Sequence, residues 1–151
     1  MPSHWVREGI RAGTIAAAAT MGALVALGRA HGAALRPINS VAHIVAGSRA
    51  YYMEGVHWLI TPLALVVHLA SIVAWGLVFS FFTRGVRGGR LYAVALAFAL
   101  ATWVFDYTLV PERLRPGFES GLSGVEVAVV YLVLGVSLAW GIAREREPLT
   151  M

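Results

Sequence analysis

The sequence predicts an all-α protein: a four-helix transmembrane bundle with an interfacial segment between its first and second helices. Four apolar stretches of about 20 residues are each long enough to cross the hydrocarbon core of a bilayer, which is roughly 30 Å thick. Hydrophobic residues make up 58% of the 151 residues and charged residues only 13%, whereas about a quarter of the residues of soluble domains are charged. The connections are short and marked by Arg. We therefore predict a single integral membrane domain over residues 1–151, without a soluble domain.

The predicted crossings lie at about residues 10–34, 59–82, 91–110 and 125–143. The first is rich in Ala and Gly and ends with the pair Gly28 and Gly32, whose GxxxG spacing lets helix backbones approach closely. Both Ala-rich filler and a specific packing face are open interpretations of this composition. Pro62 stands in the first turn of the second crossing, where the missing N–H costs little, and the third ends at Pro111.

The longest connection, residues 35–58, carries the predicted interfacial segment. Pro37 with Asn39 or Ser40 can start a short helix, and Gly47 or Gly55 permits its end. Aromatic side chains, which favour the headgroup region of a membrane, follow in this connection: Tyr51, Tyr52 and Trp58. We predict that part of 39–52 forms a short helix along the exterior surface.

The distribution of Arg predicts the orientation. All twelve basic residues are Arg, and with four crossings both termini share one side. That side holds seven of them: Arg7, Arg11, Arg84, Arg87, Arg90, Arg144 and Arg146. The other side holds five, so the positive-inside rule predicts cytoplasmic termini in a bacterial inner membrane. The basic residues lie at segment ends and form no stripe, which argues against nucleic-acid binding. The absence of Cys excludes disulfides and thiolate catalysis.

His68 is the candidate for cofactor binding, because it lies near the middle of the second crossing. Polar groups at that depth are costly and usually face protein or water. A proton or polar-substrate path could use His68 with His57, Asp106 and Glu126. Haem would need a second axial ligand, and Met21 could complete a His/Met pair. The preferred interpretation is an interhelical hydrogen bond from neutral His68, worth about 1 kcal/mol.

A metal site has different candidates. His57 and His68 are eleven residues apart, about 16 Å along a helix, so they cannot share one ion. His43, His57 and Asp106 could share an ion if the long connection folds over the helix ends.

Other polar residues are expected to hold loops and helix ends in place. Glu126 opens the fourth crossing, where the helix N-terminus favours a carboxylate. Acidic residues of the exterior loops can pair with Arg113 and its neighbours, although exposed pairs contribute little energy. The structural polar set comprises His57, His68, Asp106, Tyr107, Arg113 and Glu126.

The chain carries a set of motifs between residues 36 and 123: Arg36-Pro37-Ile38-Asn39, His43, His57, His68-Leu69-Ala70-Ser71 with Trp75, Phe105-Asp106-Tyr107, Val110-Pro111-Glu112-Arg113-Leu114-Arg115-Pro116-Gly117-Phe118-Glu119 and Leu122-Ser123. Together these motifs resemble those of a group of small bacterial four-helix integral inner-membrane proteins without assigned function. The resemblance spans roughly residues 36–140 and implies four helices in a bacterial inner membrane, but no activity. Such relatives tend to carry a second His beside the midplane one, where this chain has Val67 or Leu69.

The expected function is a non-catalytic accessory or structural subunit that packs against a larger inner-membrane complex or against itself. Small-residue helix faces suit such association. No catalytic residue is predicted, and the chain is not expected to be an enzyme. No cofactor is predicted, with haem and metal left open. The alternatives are a small transporter or proton-linked membrane protein using His68, and a haem- or metal-binding membrane protein.

Overall fold

The computed structural model describes residues 3–146, which contain helices and turns and no β-strand. Six α-helices follow one another in this part of the chain: α1 (His4–Ala30), α2 (Arg36–Val41), α3 (His43–Ala46), α4 (Ile60–Phe82), α5 (Gly89–Thr108) and α6 (Gly124–Arg146). Short 3₁₀ turns cover Ser48–Tyr52, Glu112–Leu114 and Phe118–Ser120. The helices α1, α4, α5 and α6 are long and apolar enough to cross a membrane. The two terminal residues Met1 and Met151, which the predicted orientation places in the cytoplasm, lie outside the described residues.

The first and last crossings differ from their predicted limits. α1 begins at His4 and ends at Ala30, not at residue 34. It ends there because Gly32 adopts a left-handed φ of +78°, while the Ala33 N–H donates to the Gly28 carbonyl at 2.9 Å. This is a Schellman ending. α6 continues through Arg146, so residues 144–146, which follow the predicted limit at 143, belong to its last turn.

α1 packs against α4 through glycines of both helices, near the start of α1 and in the second half of α4. A Cβ placed on Gly13 would lie 2.6 Å from the Cα of Val73, and one on Gly9 would lie 2.7 Å from the Cα of Leu77. Gly76 of α4 faces both. The GxxxG pair of α1 that packs against another long helix is therefore Gly9 and Gly13. Gly28 and Gly32, the pair predicted from the sequence to do so, form the end of α1 instead.

α6 lies between α1 and α5. A Cβ on Gly141 would lie 2.8 Å from the Cα of Ala12, and one on Gly135 would lie 2.9 Å from the carbonyl oxygen of Ala95. By contrast, α4 and α5 meet through aromatic rings. Phe98 lies 5.1 Å from Phe79 and 5.8 Å from Trp75 between ring centroids. The long helices therefore follow the spatial order α4, α1, α6, α5.

The connection between α1 and α4 is helical and packs against both helices. Asn39 is fully buried. Its amide donates to the carbonyls of Met53 and Gly55, both at 2.8 Å, and its carbonyl accepts from the Thr61 hydroxyl at 2.9 Å. Asn39 therefore ties α2 to the first turn of α4 and is not the helix-starting cap that the sequence suggests. Gly47, with φ +73°, ends α3 as expected. We call the region of 31–59 and 109–123 the loop end, and the opposite end the terminal end.

Candidate functional site

A cavity of about 120 Å³ lies among the four long helices near the loop end. It brings together two candidates that are distant in sequence, His68 of α4 and Asp106 of α5. Six polar side chains line it: Thr20, His68, Ser71, Thr102, Asp106 and Tyr131. A polar cavity among helices that are otherwise apolar is the main candidate site of this chain, because polar groups at such depth are costly.

His68 joins α4 to α1 at one wall of the cavity. The side chain is buried, with 5% of its surface exposed. Its Nε2 lies 3.0 Å from the Thr20 hydroxyl oxygen and 3.2 Å from the Ala17 carbonyl oxygen. Because a carbonyl oxygen only accepts, this network assigns the proton to Nε2 and leaves Nδ1 as the acceptor of the neutral ring. His68 thus makes an interhelical contact and also faces the cavity. Met21, the other residue considered for haem, packs against the core.

Asp106 contributes a carboxylate to the lining of the cavity. Its Oδ2 accepts a hydrogen bond from the Tyr131 hydroxyl at 2.6 Å. Tyr131 is buried at the centre of an aromatic cluster, in which three ring centroids lie 6.4 Å from its own: those of Trp103, Tyr107 and Phe118. The aromatic cluster holds the tyrosine and thereby orients the carboxylate.

Thr102 supplies a hydroxyl with unused hydrogen-bonding capacity. The residue is buried, with 2% of its surface exposed, and its Oγ1 has no hydrogen-bond partner among residues 3–146. It stands four residues before Asp106, so both occupy one face of α5. Since buried hydroxyls are almost always bonded, this unbonded group in the cavity wall makes Thr102 a candidate binding residue.

The remaining metal candidates lie elsewhere. His57 precedes α4, and its Nδ1 accepts from the backbone N–H groups of Leu59 at 3.4 Å and Ile60 at 3.3 Å. The His43 ring donates from Nδ1 to the Ser40 carbonyl at 2.8 Å and stacks on Tyr51 at 4.8 Å. The structure does not bring His43, His57 and Asp106 together. In the described part of the chain, no three His, Asp or Glu side chains are placed to hold one metal ion.

Polar residues of the loop end form a separate network. Tyr107 donates to Glu119 at 3.1 Å and Arg115 donates to the Tyr107 carbonyl at 3.1 Å. Glu126 accepts from the Ser123 backbone N–H at 2.8 Å and lies 2.7 Å from the His31 ring nitrogen. This is a capping arrangement at the start of α6.

Two further loop-end residues flank the stacked His43. Arg113 is exposed in its 3₁₀ turn and lines a shallow surface groove with His43 and Tyr51. Burial, together with the carboxylates of Glu119 and Glu112, raises the pKa of the Tyr51 phenol. The phenol therefore stays neutral at physiological pH and stacks on His43 as an uncharged ring.

The terminal end contains a buried ion pair that the sequence analysis missed. The pair joins Glu8 of α1 to Arg146 of α6, whose side chains have 2% and 10% of their surface exposed. Nε and Nη2 of the Arg146 guanidinium donate to the two oxygens of the Glu8 carboxylate, both at 2.9 Å. Arg146 Nη1 also donates to the carbonyls of Thr83 and Val86 at 2.8 and 2.9 Å. A lone carboxylate in the first turns of an apolar helix could have indicated a buried partner.

The cavity residues that sequence reasoning missed carried a weaker signal. Ser71 and Trp75 stand three and seven residues after His68 and so share its helix face. Thr102 and Asp106 are spaced by one helical turn in the same way. Nothing in the sequence showed that these two faces meet, because that depends on helix order. Comparisons with models of protein families, with curated proteins and with solved structures found no match to this chain.

Proposed function

We propose that this chain is a multi-pass protein of the bacterial inner membrane that binds a small polar molecule in the cavity between His68 and Asp106, as a small transporter would. The observation that carries the proposal is the buried, unbonded hydroxyl of Thr102 in the wall of that cavity. An apolar side chain of the same shape would cost less there. A ligand that bonds the hydroxyl accounts for its presence.

The size of the cavity limits the ligand. An apolar cavity of roughly 150 Å³ accommodates benzene, so the 120 Å³ available here suits a molecule of about three to six heavy atoms. At a ceiling near 1.5 kcal/mol per heavy atom, a three-atom ligand binds with a Kd of about 1 mM at best. Binding of small probes should therefore be sought at millimolar concentrations.

The test is a panel of four soluble probes of similar size and different charge: ethylammonium, ethanol, acetamide and acetate. Calorimetry and the fluorescence of Trp75, which lines the cavity, should detect at least one of them on the purified protein in detergent. Thr102→Val should weaken that binding while leaving thermal stability equal or higher, because it removes an unpaired buried hydroxyl.

Thr14→Val is the matched control. Thr14 is exposed on α1 and donates to the Ile10 carbonyl of its own helix at 2.8 Å. Its replacement should leave probe binding unchanged. If no probe binds the wild type in the millimolar range, or if both variants behave alike, the cavity is not a ligand site.

A non-catalytic accessory subunit, the function preferred from the sequence, is the second proposal. The observation that favours it is the position of α5: within residues 3–146 its backbone lies close to that of α6, while it meets α4 through aromatic side chains. A helix from a partner or a second copy could occupy its outer face, which carries Val94, Leu100 and Val104. Gentle detergent extraction followed by mass spectrometry of co-purifying proteins tests this. Elution of the chain as a monomer from several mild detergents would argue against it.

We also propose the finer membrane placement: a four-helix transmembrane bundle with cytoplasmic termini, and with α2 and α3 at the exterior interface. The seven-to-five distribution of Arg supports this orientation. Since the chain has no Cys, Gly88→Cys introduces a single reporter in the α4–α5 turn. It should resist a membrane-impermeant thiol reagent in intact cells and react after permeabilisation. Labelling before permeabilisation would reverse the topology.

A further inference from the structure

The carboxylate of Asp106 has no cationic partner in the described part of the chain. The ion pairs of residues 3–146 use other acidic groups, namely Glu8, Glu54, Glu112, Glu126 and Glu145. Arg115, a basic residue of the same end, is bonded to the Tyr107 carbonyl and lies 3.9 Å from Glu112. The only hydrogen bond that Asp106 receives from these residues is that of Tyr131. A carboxylate has room for about four hydrogen bonds, so most of its accepting capacity is free.

The other groups of the cavity supply lone pairs as well, while its donors are the neutral hydroxyls of Ser71 and Thr102 and the indole N–H of Trp75. His68 has its proton on Nε2, directed at Ala17, so Nδ1 of the neutral ring is a lone-pair acceptor. The Thr102 oxygen is unbonded within residues 3–146. The Thr20 hydroxyl is already committed as a donor to the Ala16 carbonyl at 2.8 Å. With Asp106 ionised, the cavity offers one negative charge and several lone pairs, and no positively charged donor.

The walls between these groups are aromatic. Trp75, Phe118 and Tyr131 line the same cavity, and the faces of aromatic rings attract cations. An anion would meet the Asp106 carboxylate without a compensating charge, which is strongly unfavourable in a medium of low dielectric. A neutral ligand would leave the carboxylate unpaired. A cation that carries N–H donors satisfies both requirements.

We propose that the cavity selects a small protonated amine, with its ammonium group on Asp106 and its hydrocarbon part against Trp75 and Phe118. This inference rests on the proposed function, since it assigns the ligand class of the same site. The ammonium group can belong to a free amine or to the aminoethyl headgroup of a phospholipid. Both sources present the same chemistry to the carboxylate.

The test compares ethylammonium with ethanol, which has the same number of heavy atoms and no charge, on the wild-type protein in detergent. Ethylammonium should bind at least about tenfold more tightly, as expected for a hydrogen bond to a charged group. Asp106→Asn should remove most of that preference. Glu119→Gln is the matched control, because Glu119 bonds Tyr107 and does not line the cavity; it should retain the preference.

Each outcome has a distinct meaning. If ethanol or acetamide binds as tightly as ethylammonium, the ligand is not selected by charge, and the amine assignment fails while a polar-ligand site survives. If acetate binds best, the assignment also fails. If no probe binds, the proposed function itself fails. If Asp106→Asn does not fold, the comparison of ethylammonium with ethanol on the wild-type protein tests the amine assignment by itself. Nanodiscs with and without phosphatidylethanolamine distinguish the sources, because a bound headgroup should reduce ethylammonium affinity only when that lipid is present.

Discussion

The contact between α1 and α4 can be tested by adding one methyl group to its centre. In Gly13→Ala, the new Cβ would lie 2.6 Å from the Cα of Val73, and ordinary van der Waals contact begins at 3.4 Å. The obstructing atom belongs to the backbone, so no side-chain rotation can relieve the overlap. The two helices must separate by about 0.8 Å to restore contact distance.

The cost of this separation extends beyond the substituted residue. A gap of 0.5–1 Å forfeits about a quarter to a half of the dispersion energy of each affected atom pair, and Gly9 and Gly76 lie in the same contact. Overpacking of this kind typically costs about 1–3 kcal/mol. A change from Gly to Ala also adds helix propensity, which is worth about 1 kcal/mol in water.

Gly22→Ala separates packing from propensity. Gly22 lies in the same helix and has no atom within 4 Å of a built Cβ, so both variants share the propensity gain and only Gly13→Ala meets an obstruction. We expect Gly13→Ala to be less stable than Gly22→Ala by about 1–3 kcal/mol. The measurement is unfolding by increasing SDS mole fraction in a mild detergent, followed by Trp fluorescence. Equal stability of the two variants, within about 0.5 kcal/mol, would refute close packing at Gly13.

Three further substitutions have defined outcomes. Arg146→Gln should destabilise the protein by about 3–5 kcal/mol, because it removes the guanidinium partner of the buried Glu8 carboxylate. Arg11→Gln, at an exposed pair, should cost at most about 1 kcal/mol. The same unfolding assay compares the two variants, and equal losses would contradict a buried pair. Asn39→Ala should cost about 1–3 kcal/mol, because it removes the two hydrogen bonds that the buried amide donates to the Met53 and Gly55 carbonyls and the one that it accepts from Thr61. The loss should be visible as faster proteolysis of residues 53–57, and unchanged proteolysis would count against this role. Gly32→Ala should cost about 1 kcal/mol, because φ is +78° there, and a melting temperature equal to that of wild type would speak against the Schellman ending.

The number of long helices could be predicted from the sequence alone. Hydropathy is a property of local composition, and a stretch of about 20 apolar residues is a sufficient signal for a membrane-spanning helix. The limits of α4 and α5 lie close to the predicted ones for this reason. The predicted limits of α1 and α6 were too short at the terminal end, because a charged residue such as Glu8 or Arg146 normally lies outside the membrane-spanning part of a helix. Glu8 and Arg146 neutralise each other across 138 residues of sequence.

The tertiary structure decided which small and polar residues matter. In a soluble protein, an amphipathic pattern would indicate the buried face of each helix, but here the lipid-facing side and the core-facing side are both apolar. The rotation of a helix is then set by close packing of small residues against a neighbour. That is why Gly9 and Gly13 form the contact with α4 although Gly28 and Gly32 have the same spacing. His68, Thr102 and Asp106 likewise meet in one cavity because α4 and α5 face each other there, and no local pattern in the sequence encodes that arrangement.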